Sequence, residues 1–93
     1  IPLTKDGEYV FEIKQATTLV LNNLLSIVEA GGGCRESIAR VDVYIKDLKD
    51  FGGINEAYKE FFGEHKPTRV CVQVAALPGD VPLEASMIAF AGE

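Results

Sequence analysis

The sequence has no tryptophan, one histidine and two cysteines in 93 residues, and each scarcity excludes something. A single His65 with Cys34 and Cys71 scattered far apart does not make a closed tetrahedral ligand set, so no metal site is expected. The cysteines lack C-x-x-C spacing and read as reduced thiols of an intracellular protein, since a chain this apolar does not need a covalent staple. Basic residues are also few: 9 Lys and Arg against 14 Asp and Glu give a net charge of −5. No basic cluster with interleaved aromatics occurs, so nucleic acid is disfavoured as a partner, because phosphate binding needs a positive footprint. No apolar run approaches the ~18 residues of a membrane span. Ile1-Pro2-Leu3-Thr4-Lys5 has neither the basic start nor the apolar stretch of a signal peptide. The expected compartment is the cytoplasm, with the mitochondrial matrix as the alternative.

What is present is ordinary globular material, 47% hydrophobic and 25% charged. The length fits one domain over residues 1–93, burying about 60–65% of the surface an unfolded chain exposes, so the core is thin. Thr4-Lys5-Asp6-Gly7-Glu8 is a turn signal. From about Phe11 to Ala30 the apolar residues Ala16, Val20, Leu21, Leu24, Leu25 and Val28 recur at helical steps, and Gly31-Gly32-Gly33 closes the helix. Ile38 to Leu48 reads as a strand with Val41, Val43 and Ile45 on one face. Asp50 is placed as the N-cap of a second helix carrying Ile54, Ala57, Tyr58, Phe61 and Phe62, which Lys66-Pro67 stops. Arg69 to Ala76 and Leu83 to Phe90 read as two strands flanking the turn Leu77-Pro78-Gly79-Asp80, an expected antiparallel hairpin. Two helices on one face of a mixed sheet is the α+β solution to this order. The sheet is short of strands, and its edges invite pairing with other chains.

Along the second expected strand Val70, Val72 and Val74 alternate with Arg69, Cys71 and Gln73, giving one apolar face and one that carries a cation and a thiol. The valine face is expected to be the core face. Glu84 lies just past the turn on the expected neighbouring strand. A guanidinium binds a carboxylate through two parallel hydrogen bonds, so this trio suits a small organic acid. A structural Arg69–Glu84 ion pair fits the same spacing, and spacing alone does not choose between them. His65 would have to lie beside Cys71 to activate it, but it falls at a helix end, where a cation favours the local dipole. The three glycines follow a helix instead of leading into one, so they do not form a phosphate cradle.

"HKPTRVCVQVAALPGDVPLE" (65–84) is similar to the signature stretch of the RidA family, also called YjgF or L-PSP. "VYIKDLKDFGGINEAYKEFF" and "QATTLVLNNLLSIVEAGG" resemble the segments that precede it there. The resemblance runs from Ile1 to about Ala89. It implies a chorismate-mutase-like α+β fold assembled as a homotrimer, with sheets inside, helices outside and ligand clefts between subunits. The implied activity is hydrolysis of reactive enamines and imines, such as 2-iminobutanoate and 2-iminopropanoate, to 2-oxo acids and ammonia, without metal or cofactor. On that resemblance Arg69 clamps the substrate carboxylate, Cys71 lies beside the pocket and Glu84 positions or activates water. Family members usually carry a further N-terminal hairpin with a pocket tyrosine ahead of the Ile-Pro found here at residues 1 and 2, and often an acidic residue where this chain has Ser86. The expected domain lacks that hairpin. A non-catalytic 2-oxo-acid-binding or regulatory module is the alternative function, and a ribonuclease or translation inhibitor ranks third on the charge argument.

Overall fold

Glu12 starts the first helix. In the computed structural model, which describes residues 1–91, a turn at 4–8 is closed by Thr4 N–H donating to Glu8 O (2.9 Å) and Gly7 N–H to Thr4 O (3.0 Å). Leu3 and Tyr9 then bridge across it. The Glu12 carboxylate accepts from the backbone N–H groups of Lys14 and Gln15, both at 3.0 Å, filling two of the donors that a helix start leaves unmatched. These bonds hold its carboxyl below the usual carboxylate range. Helix α1 (Ile13–Ala30) buries Ala16, Thr17, Val20, Leu21 and Leu25. Thr17 satisfies its own hydroxyl by donating to Ile13 O at 2.7 Å. At the far end Gly32 N–H donates to Glu29 O (3.1 Å) and Gly33 N–H to Val28 O (2.9 Å), a Schellman closure. The residue that needs the left-handed conformation is Gly32, at φ 96°.

Strand β1 (Ile38–Ile45) follows a 3₁₀ turn at 35–37. Helix α2 (Phe51–Phe62) starts at the expected place, but Asp50 makes no side-chain cap. A 3₁₀ turn at 48–50 precedes α2, and there Asp47 accepts from Lys49 N–H at 2.9 Å. The capping contact has moved upstream because Asp50 already has helical backbone angles and so cannot turn its side chain back. The two helices approach closely at Gly53, where an added Cβ would lie 2.7 Å from Ile13 Cγ2.

Strands β2 (Thr68–Gln73) and β3 (Leu83–Ala89) do not pair with each other. The sheet order is β2-β1-β3, with β2 parallel and β3 antiparallel to β1. The expected hairpin is therefore corrected to two separate pairings with a central strand. The physical reason is that β1, whose Ile38, Val41, Val43 and Ile45 are buried in the core, offers hydrogen-bonding edges on both sides. The helix between β1 and β2 returns the chain parallel, and the segment from Gln73 to Leu83 is long enough to cross to the far side.

Register then fixes which side chains share a face. Val41, Val43 and Ile45 of β1 are fully buried beneath the helices with Leu83 and Ala85, against Val20, Leu21, Leu25, Ile54 and Phe62. Arg69 pairs with Val41 and Cys71 with Val43, so Arg69 and Cys71 lie on the helix side. Val70 and Val72 lie on the opposite face, 39% and 42% exposed, with Ile88 at 59%. The expectation that the valine face is the core face is reversed. β2 is an edge strand, and its parallel register with β1 was not contained in its own alternation. The α+β class, with two helices on one face of a mixed sheet, stands as expected.

Candidate functional site

Parallel pairing turns Arg69 toward α2, and α2 answers with a stripe of three residues. Phe51, Asn55 and Tyr58 stand at i, i+4 and i+7, hence on one helical face. The Arg69 guanidinium carbon lies 4.9 Å from the Tyr58 ring centroid and 5.4 Å from that of Phe51. Nη1 donates to Asn55 Oδ1. Two aromatic faces and a neutral acceptor fix the group without cancelling its charge. Among the described residues no carboxylate lies within ion-pair distance of it. The geometry of a guanidinium fork matches that of a carboxylate.

Cys71 follows on the same side, half-buried against the core. Burial pushes its thiol pKa up, and the Arg69 charge pulls it down by less. It is therefore a thiol at neutral pH, able to line a pocket and donate weakly, and not a standing thiolate. Tyr58 behaves alike, its hydroxyl raised by burial with Arg69 opposing. Its oxygen is buried and finds no hydrogen-bond partner among the described residues.

Glu84 is not brought to these groups within one chain. It pairs with Tyr44 on the face opposite to Arg69 and Cys71, on the strand beyond β1. Two strand spacings and a three-residue offset put the Arg69 and Glu84 Cα atoms roughly 14 Å apart, on opposite sides of the sheet. The structural ion pair left open by spacing is thus not formed.

Between α2 and the start of β2 lies an open cleft of about 440 Å³ whose walls include Asn55, Tyr58, Lys59, His65, Lys66 and Arg69. His65 Nε2 donates to Ile38 O at 2.8 Å, tying the end of α2 to the start of β1 and fixing the tautomer. Asn55, Tyr58 and the lysines were not singled out in the sequence. The signal for the first two was their spacing on the helix that precedes the arginine. Among the described residues no cluster of three or more His, Cys, Asp or Glu could hold a metal ion. No helix there is long and apolar enough to cross a membrane.

A three-stranded mixed sheet under two helices, with an arginine on the edge strand facing an open cleft, defines a small α+β fold. The family profile described as endoribonuclease L-PSP matches residues 1–91. A RutC family protein of Pyrococcus horikoshii is 47% identical over 87 residues, covering 92% of this chain and 69% of that protein. The 2-iminobutanoate/2-iminopropanoate deaminase of Escherichia coli is 41% identical over 88 residues, covering 91% and 69%. Among solved structures, E. coli TdcF with bound serine superposes at a TM-score of 0.94 with 45% identity, over 99% of this chain and 76% of that one. The chain belongs to the L-PSP family, known also as RidA or YjgF, and has its fold.

Proposed function

We propose that this chain is a hydrolytic deaminase of reactive imines, converting 2-imino acids such as 2-iminobutanoate and 2-iminopropanoate to 2-oxo acids and ammonia. The observation that carries the reading is Arg69, held by Asn55 and two aromatic rings at a cleft, with no carboxylate of the described residues to neutralise it. The chemistry is that for which the E. coli relative, 2-iminobutanoate/2-iminopropanoate deaminase, is named.

In this reading Arg69 holds the substrate carboxylate in a fork and so fixes the imine carbon. Water adds to that carbon and its proton passes to a carboxylate; the carboxyl then returns the proton to the nitrogen, which leaves as ammonia as the carbonyl forms. Glu84 is the proton acceptor, and Cys71 is wall and weak donor. Because Glu84 and Arg69 occupy opposite faces of one sheet, the two meet at one substrate only across a subunit boundary, which fits a homotrimer with shared clefts. The uncovered valine face is the surface such an assembly would bury.

The test generates 2-iminobutanoate with a threonine dehydratase and follows its semicarbazone. The protein should speed the loss of imine, and Arg69→Ala should lower kcat/KM by about 10²-fold or more, the worth of a charge-assisted bidentate contact. An unchanged decay rate, or an Arg69→Ala variant as fast as wild type, sinks the reading. Within one chain the carboxylate clamp stands without its base, which favours a second reading, a 2-oxo-acid-binding module. Calorimetric binding of 2-oxobutanoate without any turnover of imine would support that one instead.

A further inference from the structure

The ion pairs sort the cations of this chain into two groups. Lys14, Arg40, Lys46 and Lys49 each have a carboxylate within 4.0 Å. Five cations, Lys5, Arg35, Lys59, Lys66 and Arg69, have none among the described residues, and the last three of them line the same cleft, with His65 beside them. Among the described residues no Asp or Glu lines it, although Glu64 lies between two of the lysines in sequence. Three like charges around one open space repel one another, and no carboxylate of the described residues pairs with any of them. In a chain of net charge −5 this is a local reversal of sign.

The cations also differ in kind. Arg69 is a planar fork, fixed from three sides, and suits the carboxylate next to the reacting carbon. Lys59 and Lys66 are exposed point charges on flexible stems, which suit a second anionic group whose position is set by the rest of the ligand. A cleft of about 440 Å³ has the size of a site for a small metabolite. It is too confined to be a track for a polyanion, and the surrounding surface is net acidic.

We propose that Lys59 and Lys66 form a second anion subsite beside the Arg69 clamp, and that the cleft selects 2-imino and 2-oxo acids bearing a distal carboxylate. The proposal rests on the reading of Arg69 as a carboxylate clamp. The ammonium groups are solvated, so the gain is modest and falls with salt.

Calorimetric titration of the chain with 2-oxoglutarate and with 2-oxobutanoate, at low and at high ionic strength, tests it. At low salt 2-oxoglutarate should bind about 3- to 10-fold tighter, in line with one or two exposed ion pairs. That ratio should fall toward one in a Lys59→Gln, Lys66→Gln double variant and at high salt. Equal affinities in the wild type, or a preference that survives the double variant, overturn the subsite while leaving the clamp standing. If neither acid binds, the clamp itself fails and the subsite fails with it.

Discussion

Arg69 is useful to a ligand because its neighbours restrain it without neutralising it. A free arginine must give up considerable rotamer entropy to grip a carboxylate, and a guanidinium already stacked on Tyr58 and bonded to Asn55 gives up less. Asn55 is then a positioning residue, acting through Arg69. Asn55→Ala should raise KM about 3- to 10-fold with a smaller change in kcat, the pattern of lost ground-state alignment. Asn55→Asp is nearly isosteric but carries a charge. It should weaken 2-oxobutanoate binding further than Ala does, by about another tenfold, because the new carboxylate occupies the fork intended for the ligand. If Asp is better tolerated than Ala, Arg69 is not the clamp. Cys71 invites a pH measurement. Its thiol pKa is raised, chiefly by burial, so the thiolate needed for alkylation is scarce at neutral pH. In a Cys34→Ser background, labelling by iodoacetamide should be slow at pH 7 and climb only above the usual thiol range. Rapid labelling at pH 7 would instead mark an activated nucleophile.

At the scale of elements, the ends of helices and the sides of strands explain what was and was not legible beforehand. The stripe of α1 and its glycine stop are local properties, and both were readable. Its start was not, because Glu12 is an unusual cap that works here through two backbone bonds. That cap gives a pH signature. The folded carboxyl titrates below the usual range, so its contribution is present above that range and disappears as pH falls through the lowered value. Glu12→Ala should lower Tm at pH 7, with the gap to wild type closing as the medium is acidified. A gap that is constant with pH would show that the charge plays no part. For β2 the alternation of valine with Arg69 and Cys71 was plain, but alternation says only that two faces differ. Which face meets the helices was set by pairing to β1, a contact 28 residues away in register, and the turn at 77–80 pointed to a hairpin that β1 in fact separates. The consequence falls on the site. Arg69 and Cys71 keep company as spacing implied, while Glu84 is carried to the other face.

For the whole molecule, that separation and the bare sheet face are one problem with one solution. Val70, Val72 and Ile88 stand exposed on one face of the sheet, on either side of the Arg40–Asp42 ion pair of β1, and exposed apolar side chains rimmed by polar ones suit a binding face. Glu84 lies on that same side, opposite Tyr44. If copies of the chain associate through it, a carboxylate remote from its own Arg69 can be delivered to a neighbour's. Solution mass by sedimentation should then be three times the 10.1 kDa of the chain. Mixing two impaired variants tests the delivery directly. Arg69→Ala and Glu84→Gln oligomers should each be nearly inactive alone. Refolded together in equal amounts, they should regain about a quarter of wild-type activity, because random assembly into a cyclic oligomer leaves one boundary in four with both groups intact. A site completed within a single chain predicts no recovery at all. Recovery therefore requires that Arg69 and Glu84 act from different copies, the arrangement proposed here for two groups on opposite faces of one sheet.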